Sequence, residues 1–299
     1  MNKILYLACF YMTAFIPEYL KADEVKEKII WADIEYAPFY ITKGENKGKG
    51  ASQMHREAII KSMPNYIHEI KKLPTTRLFK SLENGEDICF VDMNYTDNRA
   101  KTMAYGLATS IHSRHVVVAL KENLKNFMNK NGKISLKSLE RNPPLSTAIS
   151  KGRSFDSHID PFINSGKVKV KHLNLNNTSS SGLQMVSGKR VDFVFEYPEA
   201  VNYILRDKEK EIDQLIFIPL SDRKKKNYQM SYLVCSNTQW GQSRVIAINE
   251  AIKKVKNTDR YIKAIESWMP NSMLKEFRVD YKKYFVPNNL NAKENAAFQ

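Results

Sequence analysis

An α/β fold built on mostly parallel sheets is what the sequence predicts, and two observations carry that expectation. Short apolar runs rich in Val, Ile and Phe alternate with stretches of helical periodicity, the pattern of βαβ units. One of these runs, Asp87-Ile88-Cys89-Phe90-Val91-Asp92, is echoed by Asp192-Phe193-Val194-Phe195-Glu196-Tyr197. Each follows a helix-like stretch and a glycine, as two lobes of similar design would require. The alternative is chance similarity between two buried strands.

The elements follow in order. Lys3, an apolar stretch over 4–16 and Ala22 ahead of Asp23-Glu24 read as an export signal over 1–22, cut near Ala22. The apolar stretch is too short for a comfortable membrane span. Tyr6-Leu7-Ala8-Cys9 is a poor lipobox and falls too early, so a soluble periplasmic product is expected. Strands are then expected over 28–34, 66–71 and 87–92, with helices over 51–63 and 75–84 between them. The second helix ends on a plausible glycine stop, Gly85. The apolar run Val116–Leu120 lies between the two halves, and Tyr232-Leu233-Val234-Cys235 follows the second.

Composition narrows the function classes. A formal net charge of +15 would favour anionic partners, but a solvated lysine surface is the preferred account of it. No basic stripe interleaved with aromatics occurs, and export argues against nucleic acid. There is no G-x-S-x-G elbow, H-E-x-x-H helix or paired C-x-x-C. The glycine-lysine stretch at 182–190 has the wrong spacing for a phosphate loop. His112 and His115 have no third ligand in view and read as ordinary surface or strand residues. No cofactor is expected.

The chemistry-bearing residues cluster after two strands. Arg99 stands just beyond the apolar run 88–91, within Asp92-Met93-Asn94-Tyr95-Thr96-Asp97-Asn98-Arg99. Its planar fork of donors matches a carboxylate bidentately, and ligands of open α/β sheets bind at this edge. Upstream, Trp31-Ala32-Asp33-Ile34-Glu35-Tyr36-Ala37-Pro38-Phe39 follows the first strand with an acid, aromatics and a proline-fixed turn.

These segments resemble the type II extracytoplasmic solute-binding proteins of bacterial uptake systems, the group that includes amino-acid binders. The resemblance covers almost the whole mature chain. It implies two lobes, each a mostly parallel sheet flanked by helices, joined by two hinge strands at Val116–Leu120 and 232–235. Lobe 1 would comprise 23–117 and 234–299, and lobe 2 would comprise 118–233. The D-x-x-Y-x-P-F segment implies that Asp33, Tyr36 and Phe39 line the cleft, and the T-x-x-R segment that Arg99 grips a ligand carboxylate. Asp92 and Asn94 stand where serine or threonine is usual. Ser146 to Phe155 resembles a strand leading to a helix start whose amides bind an anion, with Ser154 at a carboxylate-binding position. Arg153 replaces a small residue there, and either adds a second cation to the cleft or points outward.

The resemblance departs at one informative place. The aspartate that holds an amino acid's α-ammonium falls here on Tyr197, and a phenol cannot replace that charge. Glu196 is adjacent, but neighbouring side chains on a strand face opposite ways unless a bulge intervenes. The ligand therefore need not be a standard α-amino acid: the resemblance implies a small carboxylate-bearing solute, amino-acid-like or an organic acid with an aromatic or apolar body. Lobe closure on it would be read by an inner-membrane permease or a receptor, with the protein a monomer and not an enzyme. The alternatives are a dehydratase-like enzyme using Glu35, Asp33 and Glu196, or a sensing module without transport. Cys89 and Cys235 would lie on neighbouring strands of lobe 1, where disulfide geometry is rarely suited, so free buried thiols are expected.

Overall fold

Continuously buried apolar runs make the central strands, and the strands form two sheets. The computed structural model describes residues 26–173, 178–206, 214–223, 228–290 and 292–294, so the expected export signal lies outside the described residues. The strands in chain order are β1 (Lys28–Asp33), β2 (Ile67–Lys72), β3 (Cys89–Met93), β4 (Met103–Ser113), β5 (Val116–Leu120), β6 (Ser146–Ser150), β7 (Lys169–Leu173), β8 (Phe193–Glu196), β9 (Leu215–Ile218) and β10 (Tyr228–Ser236). The first sheet has the order β2-β1-β3-β10-β4 and the second β7-β6-β8-β5-β9.

The two sheets share one plan. In each, three parallel strands are followed by an antiparallel strand and then a last strand antiparallel to it. β3 and β8, the strands of the sequence echo, both take the third place. Phe193 and Phe195 pack into the apolar cluster on one face of the second sheet, whereas Val194 packs into the cluster on the other. That alternation buries both faces of a strand whose sequence is continuously apolar.

Helices cover the first sheet. Helix Ala51–Lys61 buries Ala51, Ala58 and Ile59, and helix Gln239–Val255 buries Val245, Ile248, Ala251 and Ile252. Thr238 caps the second of these, its Oγ1 accepting from the Gly241 amide at 3.2 Å. Among the described residues no helix is long and apolar enough to cross a membrane.

The chain passes between the two sheets twice. All of β5 pairs within the second sheet and all of β10 within the first, so the chain changes sheets at Arg114-His115 and within 219–227. Val117 lies within β5 and Leu233 within β10. Cys89 and Cys235 form a disulfide rather than free thiols. They are direct partners on antiparallel β3 and β10, with Cα atoms 4.0 Å apart. The Ser236 amide donates to the Ile88 carbonyl at 3.2 Å, which marks the Cys pair as a non-hydrogen-bonded one. Side chains approach most closely at such pairs, and this is the physical reason that adjacent strands accept the bridge here.

Candidate ligand-binding cleft

The carboxyl ends of β1 and β3 face those of β6 and β8 across a cavity of about 130 Å³, enough for one small solute rather than a polymer segment. The first sheet supplies Tyr36, Phe39, Asp92, Asn94, Arg99 and His112, and the second Ser150, Lys151, Arg153, Ser154 and Tyr197.

Arg99 begins a short 3-10 turn after β3. Its Nη1 donates to the Asn94 carbonyl and its Nη2 to the Gly152 carbonyl of the opposite lobe, both at 3.0 Å. The guanidinium lies over the Phe79 ring, 4.9 Å from its centroid. Two of its five donors are thus used on neutral oxygens, and among the described residues no carboxylate lies within ion-pairing distance of it. Desolvation lowers its pKa, partly offset by Tyr105, Asp160 and Tyr197. An arginine with spare donors and no paired anion, in an aromatic setting, has the chemistry to bind a carboxylate.

Of the other charged groups at the cleft, Asp92 and Glu196 are paired, whereas Glu35 and Lys151 also line the cavity and form no ion pair among the described residues. Asp92 sits at a bulge in β3 with φ 87°, and its amide donates to Thr109 Oγ1 at 3.2 Å. Its carboxylate accepts from His112 Nε2 at 2.7 Å and from the hydroxyls of Ser52 and Ser231. Burial opposes the charge on both groups, but their mutual attraction outweighs it: the Asp92 pKa is lowered and the His112 pKa raised. Arg153 and Glu196 form a bidentate pair at 2.9 and 2.8 Å, with Glu196 only 2% exposed. The Glu196 carboxylate also accepts from the Tyr197 amide at 2.9 Å and the Tyr36 hydroxyl at 3.4 Å. Arg153 therefore does line the cleft, but as a paired cation.

Asn94 joins the lobes, its Nδ2 donating to the Ser154 carbonyl at 3.3 Å and to Tyr197 Oη at 3.4 Å. Phe39 packs against Tyr36, His112 and Tyr197, with ring centroids 5.4, 4.9 and 5.4 Å away. Tyr197 is buried, and burial raises its phenol pKa despite the Asn94 bond and the Arg153 charge.

Several expected residues have other duties. Asp33 does not line the cavity: it is buried, accepting from Gln53 Nε2 at 2.9 Å and paired with Arg56, and so anchors helix Ala51–Lys61 to β1. Ser154 borders the cleft, yet its hydroxyl donates to Asp160 Oδ2 at 2.5 Å. The helix expected to start there begins at Ile159; Asp156 accepts from the amides of His158 and Ile159 at its start, and Asp160 accepts from the Phe155 amide in the preceding turn. The turn thus supplies its own anions. Trp31 is core, its indole donating to His68. Of the surface and strand positions expected for His112 and His115, His112 takes the strand one, on β4, and both are buried.

Sequence reasoning missed His112, Phe79, Tyr105 and the Gly152 carbonyl. Tyr105 Oη donates to the Asn94 carbonyl at 2.8 Å and so shares that oxygen with Arg99. The signal for His112 was available in its burial on an apolar strand, where an imidazole needs an acid.

The sequence matches no protein-family model and no curated protein. Solved structures do match. One, from work on glutathione import in Streptococcus mutans via a cystine ABC importer, has 18% identity and a TM-score of 0.64, covering 82% of this chain and 98% of the other. A histidine kinase sensor domain with similarity to periplasmic binding proteins has 14% identity and a TM-score of 0.63, covering 81% and 96%. An ancestral arginine-binding protein bound to arginine has 17% identity and a TM-score of 0.62, covering 81% and 98%. Together with the two matching five-stranded sheets, these likenesses establish that the chain has the two-lobed α/β fold of type II periplasmic solute-binding proteins.

Proposed function

We propose that this protein is an exported receptor that binds a small carboxylate-bearing solute with an aromatic or apolar body between its lobes. The carrying observation is Arg99, half-buried at the cleft, which donates to two backbone carbonyls and, among the described residues, has no carboxylate partner. Asp92 and Glu196 are already neutralised by His112 and Arg153, so neither offers a free carboxylate to an α-ammonium group. Tyr36, Phe39, Phe79 and Tyr197 supply apolar walls for the rest of the ligand. Lobe 1 engages the solute through Arg99, Asn94 and Tyr36, and closure brings Arg153, Ser154 and Tyr197 over it.

The closed form would be read by a membrane permease or receptor; structures linked to an ABC importer and to a kinase sensor share the fold. Thermal unfolding against a panel of aromatic and dicarboxylic acids, amino acids, short peptides and sugars tests the reading, because a ligand bound only by the native state raises the midpoint. A carboxylate is expected to produce the shift, and Arg99→Ala to weaken its binding by roughly 100-fold while the unliganded protein still unfolds cooperatively. Unchanged affinity in Arg99→Ala removes Arg99 from the site.

A further inference from the structure

Glu196 is a deeply buried carboxylate at the carboxyl end of β8, the edge that faces the cleft, yet it is screened from the cavity. What stands between is Arg153, which lines the cavity on one side and holds both carboxylate oxygens on the other. The guanidinium is further held between two rings, 4.8 Å from the Phe155 centroid and 5.6 Å from that of Tyr36 in the opposite lobe. Aromatic faces, a bidentate carboxylate and a phenol hydroxyl on that same carboxylate are the components of a cation-binding site. Here the cation is part of the chain.

We propose that Arg153 is the built-in occupant of a cation subsite at Glu196, and that its presence makes the protein reject ligands carrying an ammonium group beside their carboxylate. The specificity consequence rests on the reading of Arg99 as the carboxylate receptor; the occupancy of the subsite does not. With Arg153 in place, a zwitterion that reaches Arg99 finds the Glu196 position closed to its ammonium group, which loses hydration there without compensation, and Glu35 is left as the cavity-lining carboxylate that forms no ion pair among the described residues. With Arg153 removed, the same zwitterion meets an unpaired buried carboxylate.

The test compares wild type, Arg153→Ala and Arg153→Ala/Glu196→Gln by thermal unfolding at constant ionic strength, with methylguanidinium chloride against sodium chloride. Arg153→Ala is expected to show a saturable rise in midpoint of about 2–4 °C with methylguanidinium. Wild type and the double variant are expected to show none. An equal rise in wild type, or a rise that survives Glu196→Gln, overturns the assignment. Should Arg153→Ala fail to melt cooperatively, Glu196→Gln alone serves: freeing Arg153 beside Arg99 should produce stabilisation by glutarate that exceeds the wild-type response, and an unchanged response overturns the proposal.

A second arm addresses specificity, using 3-phenylpropanoate and L-phenylalanine, which differ only in the ammonium group. Arg153→Ala should gain roughly tenfold or more in affinity for L-phenylalanine relative to 3-phenylpropanoate, and an unaltered ratio overturns the rejection claim. If methylguanidinium behaves as expected but neither acid is bound by any form, Arg153 stays assigned and the carboxylate reading of Arg99 is what fails.

Discussion

Asp33 and Arg99 show how differently two charged residues of one sheet edge are used. Asp33 is consumed by the fold: Gln53 and Arg56 of a single helix close on its carboxylate, and Gln53 Oε1 in turn accepts from the Ile41 and Gly50 amides. Removing it leaves Arg56 buried without its main counter-ion. Asp33→Ala is therefore expected to cost about 3–5 kcal/mol, read as a fall in denaturant midpoint at unchanged slope. A cost below 1 kcal/mol would show that Glu57, 3.6 Å from the other guanidinium nitrogen, can take over. His55 makes a pH prediction. Buried and stacked on Tyr261 at 4.0 Å, it has its pKa lowered to about 4, chiefly by burial. Between pH 6.5 and 4 the unfolded imidazole binds a proton that the folded one does not, so stability is full above pH 6.5 and falls with pH through that window. The loss from His55 amounts to about 3 kcal/mol by pH 4. A midpoint-against-pH curve should flatten in His55→Gln, and an identical slope in both proteins would refute the assignment.

At the scale of elements, the sequence was most legible where periodicity and punctuation agreed. Strands expected over 28–34, 66–71 and 87–92 appear as Lys28–Asp33, Ile67–Lys72 and Cys89–Met93, and the two intervening helices end within two residues of expectation. The site was legible only in part, because which side chains meet depends on tertiary pairing. Arg99, Asn94, Tyr36 and Phe39 reach the cleft because they follow strand ends directly. Asp33 does not, since a helix 18 residues or more along the chain claims it, and no local pattern announces that. The disulfide was hidden for a related reason: it depends on the register of β3 against β10, and so on whether the pair is hydrogen-bonded. That bridge spans a sequence separation of 146 residues between two fully buried sulfurs. Replacing both cysteines by alanine should destabilise the protein by about 3–5 kcal/mol in chemical denaturation, whereas a loss under 1 kcal/mol would make the bridge incidental to stability.

For the whole molecule, the repeated sheet order means that one design is used twice, facing itself. The echo at 87–92 and 192–197 was the sequence trace of this, and it places Asp92 beside one end of the cleft and Glu196-Tyr197 beside the other. The consequence is a cleft in which each lobe pairs one acid with a basic group of its own, Asp92 with His112 and Glu196 with Arg153. Selectivity then falls on the residues that cross between lobes: Asn94 to Ser154 and Tyr197, Arg99 to Gly152, and Tyr36 to Glu196. The bridge between Cys89 and Cys235 has a further consequence, this time for covalent integrity. Every strand of the second sheet lies between those two cysteines in the chain, so the entire lobe is enclosed in a covalent ring. A protease that nicks any loop of that lobe produces two fragments that still travel as one molecule, and they separate only when the protein is both unfolded and reduced.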